Sequence, residues 1–294
     1  MYGVCVTGVC CCTTNAGKGW PQFLHAAVGA TADGAGVVVG LLVPTEATVL
    51  LLGGAAAVNV SVSTDFPFSD SLTVTVVGAP ASGPPLRLLL RVPTWATAAS
   101  TLAVNGGAPQ PVAAQPGSGG FAVVPLAQGG ASTVARLDIG TEIRVRQWPG
   151  ANGGVSVHRG ALLFSLRLDE NVTITKQPWL PAWPNATDYD VRTDSPWNYA
   201  LIIPDFQNPG AAMTFNQLGT PGPVPFSPDS LPCSITAAAR LVPAWTQARD
   251  AAGQLPQSPV DCSAPGACGP VVQVTLVPHG STLLRISTLP FVAA

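Results

Sequence analysis

The stretch SLTVTVVGAPASGPPLRLLLRV, residues 71–92, decides the fold class. In its first half, Leu72, Val74 and Val76 fall on one side of an extended chain, and Thr73 and Thr75 on the other. In its second half, Leu86, Leu88, Leu90 and Val92 oppose Arg87, Leu89 and Arg91. Successive side chains of an extended backbone point to opposite faces, so an apolar period of two marks a half-buried strand. Gly78, Pro80, Gly83, Pro84 and Pro85 separate the two runs with turn residues.

The same reading extends in both directions. Asn105-Gly106 after TLAV is a hairpin signal, because both residues tolerate the left-handed backbone a tight turn needs. Further short strands are expected at Phe121–Val124, Glu142–Arg146, Gly160–Leu168, Val271–Val277 and Thr282–Ile286. One helix stands out. Trp20, Phe23, Leu24, Ala27 and Val28 share one face at the 3.6-residue period, with Pro21 in the first turn and Gly29 to end it. Residues 204–234 hold many prolines and little periodicity, and read as a long surface loop. The expected class is therefore mainly β: two β-sandwich domains preceded by one helix. The middle sandwich is expected over 31–147 and the C-terminal one over 148–294, with Trp148-Pro-Gly-Ala-Asn-Gly-Gly154 as the boundary and residues 1–30 standing apart.

Composition narrows the function. Hydrophobic residues make up 47% of the 294, enough for a sizeable core, and charged residues only 10%. A net charge of -2 supplies no basic stripe to neutralise phosphates, so nucleic acid is not an expected partner. No membrane partner is expected either, because the longest apolar region, Gly34 to Val58, is broken by Pro44 and Glu46. The first residues, MYGVCVTGVCCC, lack the basic and apolar regions of a signal peptide, and read like a start inside a longer protein.

Cysteines fall in two groups: Cys5, Cys10, Cys11 and Cys12, then Cys233, Cys262 and Cys268. Cys262 and Cys268 flank a spacer containing Pro265 and Gly266, which lets the chain reverse and bring the pair within disulfide reach. Sequons occur at Asn59, Asn171 and Asn185. Both features favour a secreted parent protein.

Several segments, in sequence order, resemble patterns of glycoside hydrolase family 127, the β-L-arabinofuranosidase-like family. They are CCTTNAGKGWPQF from Cys11, TDFPFSDSLTVTV from Thr64, LRVPTWATAASTLAVNG from Leu90, HRGALLFSL from His158, SPWNYAL from Ser195, ARLVPAW from Ala239 and VTLVPHGSTLLRIS from Val274. The resemblance implies a parent built as an α/α barrel followed by β-sandwiches, with this chain covering the trailing part. It makes the helix near Trp20 the end of that barrel, and residues 1–30 its remnant. It also implies dimer contacts through the C-terminal sandwich.

By the same resemblance Cys11 is the nucleophile, forming a thioglycosyl intermediate on arabinofuranoside-type glycans. Zinc is then held by Cys11, Cys12, a further cysteine and a glutamate. A zinc-bound thiol stays deprotonated and nucleophilic, so the chemistry is coherent. The remaining ligands and the acid/base glutamate precede the pair in the family, in sequence this chain lacks. Three consecutive cysteines also allow the pair to be Cys10-Cys11, although Asn15 supports Cys11-Cys12. Thr13 and Thr14 stand where many bacterial members have prolines. The plainer reading is a run of thiols that forms no zinc site in this chain alone.

Other candidates are weaker. His25, His158 and His279 are scattered and read as ordinary histidines. Glu46, Glu142 and Glu170, the only glutamates, show no pairing of the kind a retaining glycosidase needs. Trp179 and Trp183, in QPWLPAWPN, either stack a sugar or pack locally beside their prolines. Two functional readings follow: part of a retaining, cysteine- and zinc-dependent glycosidase, inactive as these 294 residues alone, or a non-catalytic carbohydrate-binding or structural module.

Overall fold

The structure, a computed structural model, describes residue 15 and residues 17–112, 120–176 and 187–293. Cys5, Cys10, Cys11, Cys12, Trp179, Trp183 and Asn185 lie outside the described residues. The chain divides into two compact units, one ending at Thr141 and the other starting at Glu142. The fold is mainly β, as the alternation implied.

The first unit contains helix α1 (Gly19–His25) and ten strands: β1 (Val28–Ala30), β2 (Gly36–Val39), β3 (Thr45–Leu51), β4 (Ala56–Thr64), β5 (Ser71–Val77), β6 (Arg87–Arg91), β7 (Thr101–Val104), β8 (Gln110–Pro111), β9 (Phe121–Pro125) and β10 (Thr133–Asp138). They form a four-stranded sheet, β1-β2-β6-β9, and a six-stranded sheet, β3-β4-β5-β10-β7-β8. Val37, Val39, Leu88, Leu90 and Val124 of the first sheet share one core with Val49, Val58, Val60, Val62, Leu72, Val74, Val76 and Leu137 of the second. This is the sandwich that residues 71–92 foretold: Leu72, Val74, Val76, Leu86, Leu88, Leu90 and Val92 are all buried. Each such side chain contributes about 1.5–3 kcal/mol relative to exposure. At Asn105-Gly106 both residues have positive φ, 49° and 73°, and Gly107 N–H donates to Val104 O, closing the turn after β7. The Asn105 side chain also accepts from Val134 N–H at 2.8 Å, tying the turn to β10.

The helix is shorter than its apolar period suggested. It ends at His25, and Val28–Ala30 pair with Val37–Val39 as strand β1. The reason is the lack of a partner for its face: none of the helix residues is buried, and Trp20 is 70% exposed. Two turns without packing are marginal in water. Val28 and Ala30 gain ladder bonds to β2 by leaving the helix. Ala27, at the turn, is fully buried, and its carbonyl accepts from Gly40 N–H.

The second unit contains β11 (Ile143–Gln147), β12 (Val155–Arg159), β13 (Leu162–Leu166), β14 (Asn171–Lys176), β15 (Thr187–Arg192), β16 (Tyr199–Ile202), β17 (Met213–Gln217), β18 (Cys233–Leu241), β19 (Gln247–Ala248), β20 (Ala251–Ala252), β21 (Val271–Pro278) and β22 (Phe291–Val292). Eight of them form one sheet, ordered β11-β12-β13-β21-β18-β16-β22 with β17 also on β18. The pairs β14-β15 and β19-β20 are separate hairpins. The segment 286–292 draws the sheet round on itself. Ile286 O accepts from Leu166 N–H, Leu289 bridges Val155 of β12, and Phe291 pairs with Leu201 of β16. Inside, Trp245 packs edge-on against Trp197 at 5.0 Å, and its Nε1–H donates to Gly253 O.

Two expectations change here. Residues 204–234 are not all loop, because Met213–Gln217 pair antiparallel with Cys233–Ala237. Proline-rich flanks hid a five-residue edge strand too short for a clear period. Thr282–Ile286 is not a strand, because its N–H groups turn toward the Glu170 carboxylate. The residues 148–154 form the loop between β11 and β12 within the second unit, where Trp148 N–H donates to Gly154 O.

Cys262 and Cys268 are bridged, with their Cα atoms 5.2 Å apart and Gly266 at φ 78° in the reversal between them. Peptide mapping without reduction should recover this pair linked, and Cys262→Ser should cost about 2 kcal/mol by the loop-entropy relation, read from denaturant midpoints. Hydrogen exchange should show α1 amides protected weakly and those of β5 and β6 strongly. Equal protection would contradict the exposed, unpacked helix.

Candidate functional site

The described residues of the second unit gather polar side chains in two clefts. The larger, about 670 Å³, lies between the β11–β12 hairpin and the turn at Pro209–Ala211. Strand periodicity builds its wall. Arg144 and Arg146 are two apart on β11 and share a face, and the register sets them opposite His158 and Ser156 of β12. Trp148 follows at the end of β11, with the Arg146 guanidinium 3.8 Å above its ring. Trp148 Nε1–H donates to Ser156 Oγ at 2.8 Å, and Ser156 Oγ lies 2.8 Å from His158 Nε2. Ser156 is buried, which fixes the rotamers of both neighbours. Arg144 donates to Gly160 O at 3.0 Å. Burial, and then the Arg144 and Arg146 cations, pull the His158 imidazole below its ordinary range. His158 was read from sequence as an ordinary histidine, and Arg144, Arg146, Trp148 and Ser156 were not singled out. The signal was present in the alternation of Arg144, Arg146 and Trp148, but it becomes a cluster only once β12 is known to lie alongside.

The second cleft, about 470 Å³, is lined by Arg167, Asp169, Glu170, Asp229 and Ser281. Glu170 is structural. Its Oε1 accepts from Leu283 N–H at 2.6 Å and Leu284 N–H at 2.7 Å, and lies 2.6 Å from Thr282 Oγ1. One carboxylate oxygen thereby satisfies the backbone that would otherwise belong to a strand. Beside it, Ser165 Oγ and His279 Nδ1 are 2.8 Å apart, and burial, then Arg285, lowers the imidazole.

The other candidates stay apart. Glu46 lies on the outer face of β3 opposite Ser61, and Asn59 nearby accepts from Thr48 Oγ1 at 2.9 Å. Glu142 lines the larger cleft, at the start of β11. His25 sits exposed in the last turn of α1. Asn171 is exposed on β14, its side chain donating to Asp194 at 3.0 Å. Cys11 and Cys12 are outside the described residues, and among those described no three His, Cys, Asp or Glu side chains cluster as a metal site. No helix among them is long and apolar enough to cross a membrane.

A family model, that of the middle domain of GH127 beta-L-arabinofuranosidases, matches residues 36–135. The matched stretch runs from β2 into β10 and includes most of the sandwich core described above. Solved structures extend the likeness along the chain. A GH127 beta-L-arabinofuranosidase from Geobacillus stearothermophilus T6 matches with TM-score 0.60 and 17% identity, over 95% of this chain and 36% of that one. A glycoside hydrolase matches with TM-score 0.58 and 18% identity, over 97% and 40%. A GH127 beta-arabinofuranosidase matches with TM-score 0.60 and 15% identity, over 97% and 39%. At such identities the likeness is one of fold, and the chain spans about two fifths of the length of these proteins or less. No curated protein matches by sequence.

The structural role of Glu170 has a measurable consequence. Glu170→Ala should destabilise the chain by about 2–3 kcal/mol, since three donors lose a charged acceptor. Glu170→Gln, which keeps an oxygen, should cost less. Urea midpoints at constant slope would check both.

Proposed function

We propose that the chain is part of a retaining glycosidase that acts on terminal β-L-arabinofuranosides through a cysteine nucleophile and zinc. The observation that carries the reading is the match of residues 36–135 to a GH127 middle domain, preceded by Cys11-Cys12-Thr-Thr-Asn15. In this reading the Cys11 thiolate attacks the anomeric carbon, and the bond to the leaving oxygen breaks as that oxygen takes a proton from a carboxylic acid. Water, losing a proton to the carboxylate left by the first step, then displaces the thiolate, and the two inversions give net retention of configuration. Zinc, when bound, would keep the Cys11 thiol ionised. Cys11 and Cys12 fit zinc in kind, as thiolate donors, but give only two of its usual four ligands. No step is therefore derived through the metal.

The carboxylic acid is the missing element. No glutamate precedes Cys11 in this sequence, where the family resemblance places the acid/base residue and the other ligands. General acid–base catalysis is worth about 10²–10⁴-fold, and substrate positioning adds more. The reading includes a parent of the secretory pathway, supported by the disulfide and by exposed sequons at Asn59 and Asn171. It also includes self-association through the second unit. The β14–β15 hairpin offers an exposed apolar face for this, with Ile174 opposite Tyr189 and Val172 opposite Val191.

These 294 residues alone should hydrolyse an aryl β-L-arabinofuranoside negligibly, and bind zinc weakly in a competition titration with a chromogenic chelator. The same chain joined to an upstream α/α barrel of a GH127 enzyme should turn over, and Cys11→Ser should abolish that turnover. Turnover by the barrel-joined chain that survives Cys11→Ser would remove Cys11 as nucleophile. No turnover by it at all would favour a non-catalytic carbohydrate module.

A further inference from the structure

We propose that the cleft between the β11–β12 hairpin and the Pro209–Ala211 turn is a binding site for a carboxylate-bearing saccharide, held by Arg144 and Arg146 on one side and by the amides of Gln207 and Asn208 on the other. The site lies within the second unit and uses none of the residues assigned to glycosidic cleavage. That the ligand is a saccharide rests on the carbohydrate-acting reading above. That it is anionic rests on the side chains themselves.

The first argument is charge. Three arginines pair with aspartates, Arg87 with Asp33, Arg136 with Asp138 and Arg192 with Asp190, whereas Arg144 and Arg146 stand two residues apart on one strand face. Arg144 and Arg146 have no carboxylate partner among the described residues. Arg144 is satisfied only by a carbonyl and Arg146 only by an aromatic face. In a chain with so few charges, two unmatched cations on one strand face, with an imidazole across from them, leave a site short of an anion. Glu142 also lines the cleft, and the two guanidinium groups outnumber it. Guanidinium forks suit carboxylates because two parallel N–H groups meet two oxygens.

The second argument is shape. About 670 Å³ is far more than a lone inorganic anion fills and is in the range of small-molecule clefts. Its walls carry the groups a sugar ring uses. Arg144, Arg146 and Gln147 line one side, Gln207 and Asn208 the other, and the Phe206 ring lies beside the amides. The third argument is readiness. Buried Ser156 holds His158 and holds the Trp148 ring that backs the Arg146 guanidinium, so little ordering remains to be done on binding. His158 is an internal reporter: Arg144 and Arg146 depress its imidazole, and a carboxylate arriving among them reverses that influence.

The test uses the 294-residue chain with Cys11→Ser, so that the outcome is independent of whether Cys11 is a nucleophile. Trigalacturonate, its fully methyl-esterified form and inorganic phosphate are titrated calorimetrically at fixed salt. Trigalacturonate should bind, the neutral ester at least about tenfold more weakly, and phosphate should not displace the acid. Arg146→Gln and Arg144→Gln should each lower affinity about tenfold, the scale of one charge-assisted contact. Arg136→Gln in the first unit should leave it unchanged. The His158 titration midpoint, read by NMR, should rise on saturation. The proposal is overturned by no binding to folded protein, by equal binding of acid and ester, or by stoichiometric displacement with phosphate, which would mark a simple anion pocket. Unchanged affinity in both arginine variants would overturn it as well.

Discussion

Val155 and Leu289 exchange two backbone hydrogen bonds, of 2.8 and 2.9 Å, and the second unit depends on that exchange. Val155 belongs to β12, near one end of an eight-stranded sheet, and Leu289 directly precedes β22 at the other end. An open sheet of that width leaves two unpaired edges and one wet face. Joining its ends removes most of that exposure, and Val155–Val157 of β12 and Phe164–Leu166 of β13 are buried on both faces. The closing residues come from the last stretch of the chain, so the unit is complete only when the segment 286–292 is in place. Glu170 supports this directly: it orients Leu283 and Leu284, immediately before Ile286 meets Leu166.

The first unit solves the same problem with two sheets instead of one. Its alternation is cleaner because each strand has one wet face, and that is why it could be read from the sequence. In β4 the pattern alternates without a break from Ala56 to Ser63. In the second unit, strands buried on both sides lose the period, and the sequence of Val155–Val157 or Cys233–Ile235 says only that the chain is apolar and small. Local chemistry was legible wherever a few adjacent residues decide the outcome, as at Asn105-Gly106 and Cys262–Cys268. It failed where a distant partner decides. Thr282–Ile286 has the composition of a strand, and a carboxylate more than a hundred residues away takes its N–H groups. The end of α1 was misplaced for a related reason: periodicity reports which face is apolar, not whether anything covers it.

The candidate site repeats this pattern. Cys11 and Cys12 were found by their resemblance to a family motif, which needs only adjacent residues. The Arg144, Arg146, Trp148, Ser156 and His158 cluster was not found, because its two halves lie on different strands and no member is unusual by itself. Only the register places Arg144 opposite His158 and Arg146 opposite Ser156. The three histidines illustrate the difference. His25 sits on an exposed helix, His279 is held by a buried serine, and His158 lies beside two cations of the neighbouring strand.

Scarcity of charge gives that last observation its weight. A surface rich in lysine and glutamate presents unmatched cations everywhere, and they mean little because water and salt screen them. This chain has two lysines and eleven arginines, and Arg87, Arg136 and Arg192 form ion pairs with aspartates. Against that background, two arginines on one strand face beside an imidazole, with no carboxylate partner among the described residues, are a cost the fold tolerates. They crowd a half-buried imidazole and depress it, and neither is needed to bury the apolar core, since Ile143, Val155 and Val157 already do so from the opposite face. A cost of that kind is relieved when a negative group enters the cleft, and the stabilisation regained then appears as affinity for the ligand that brings it.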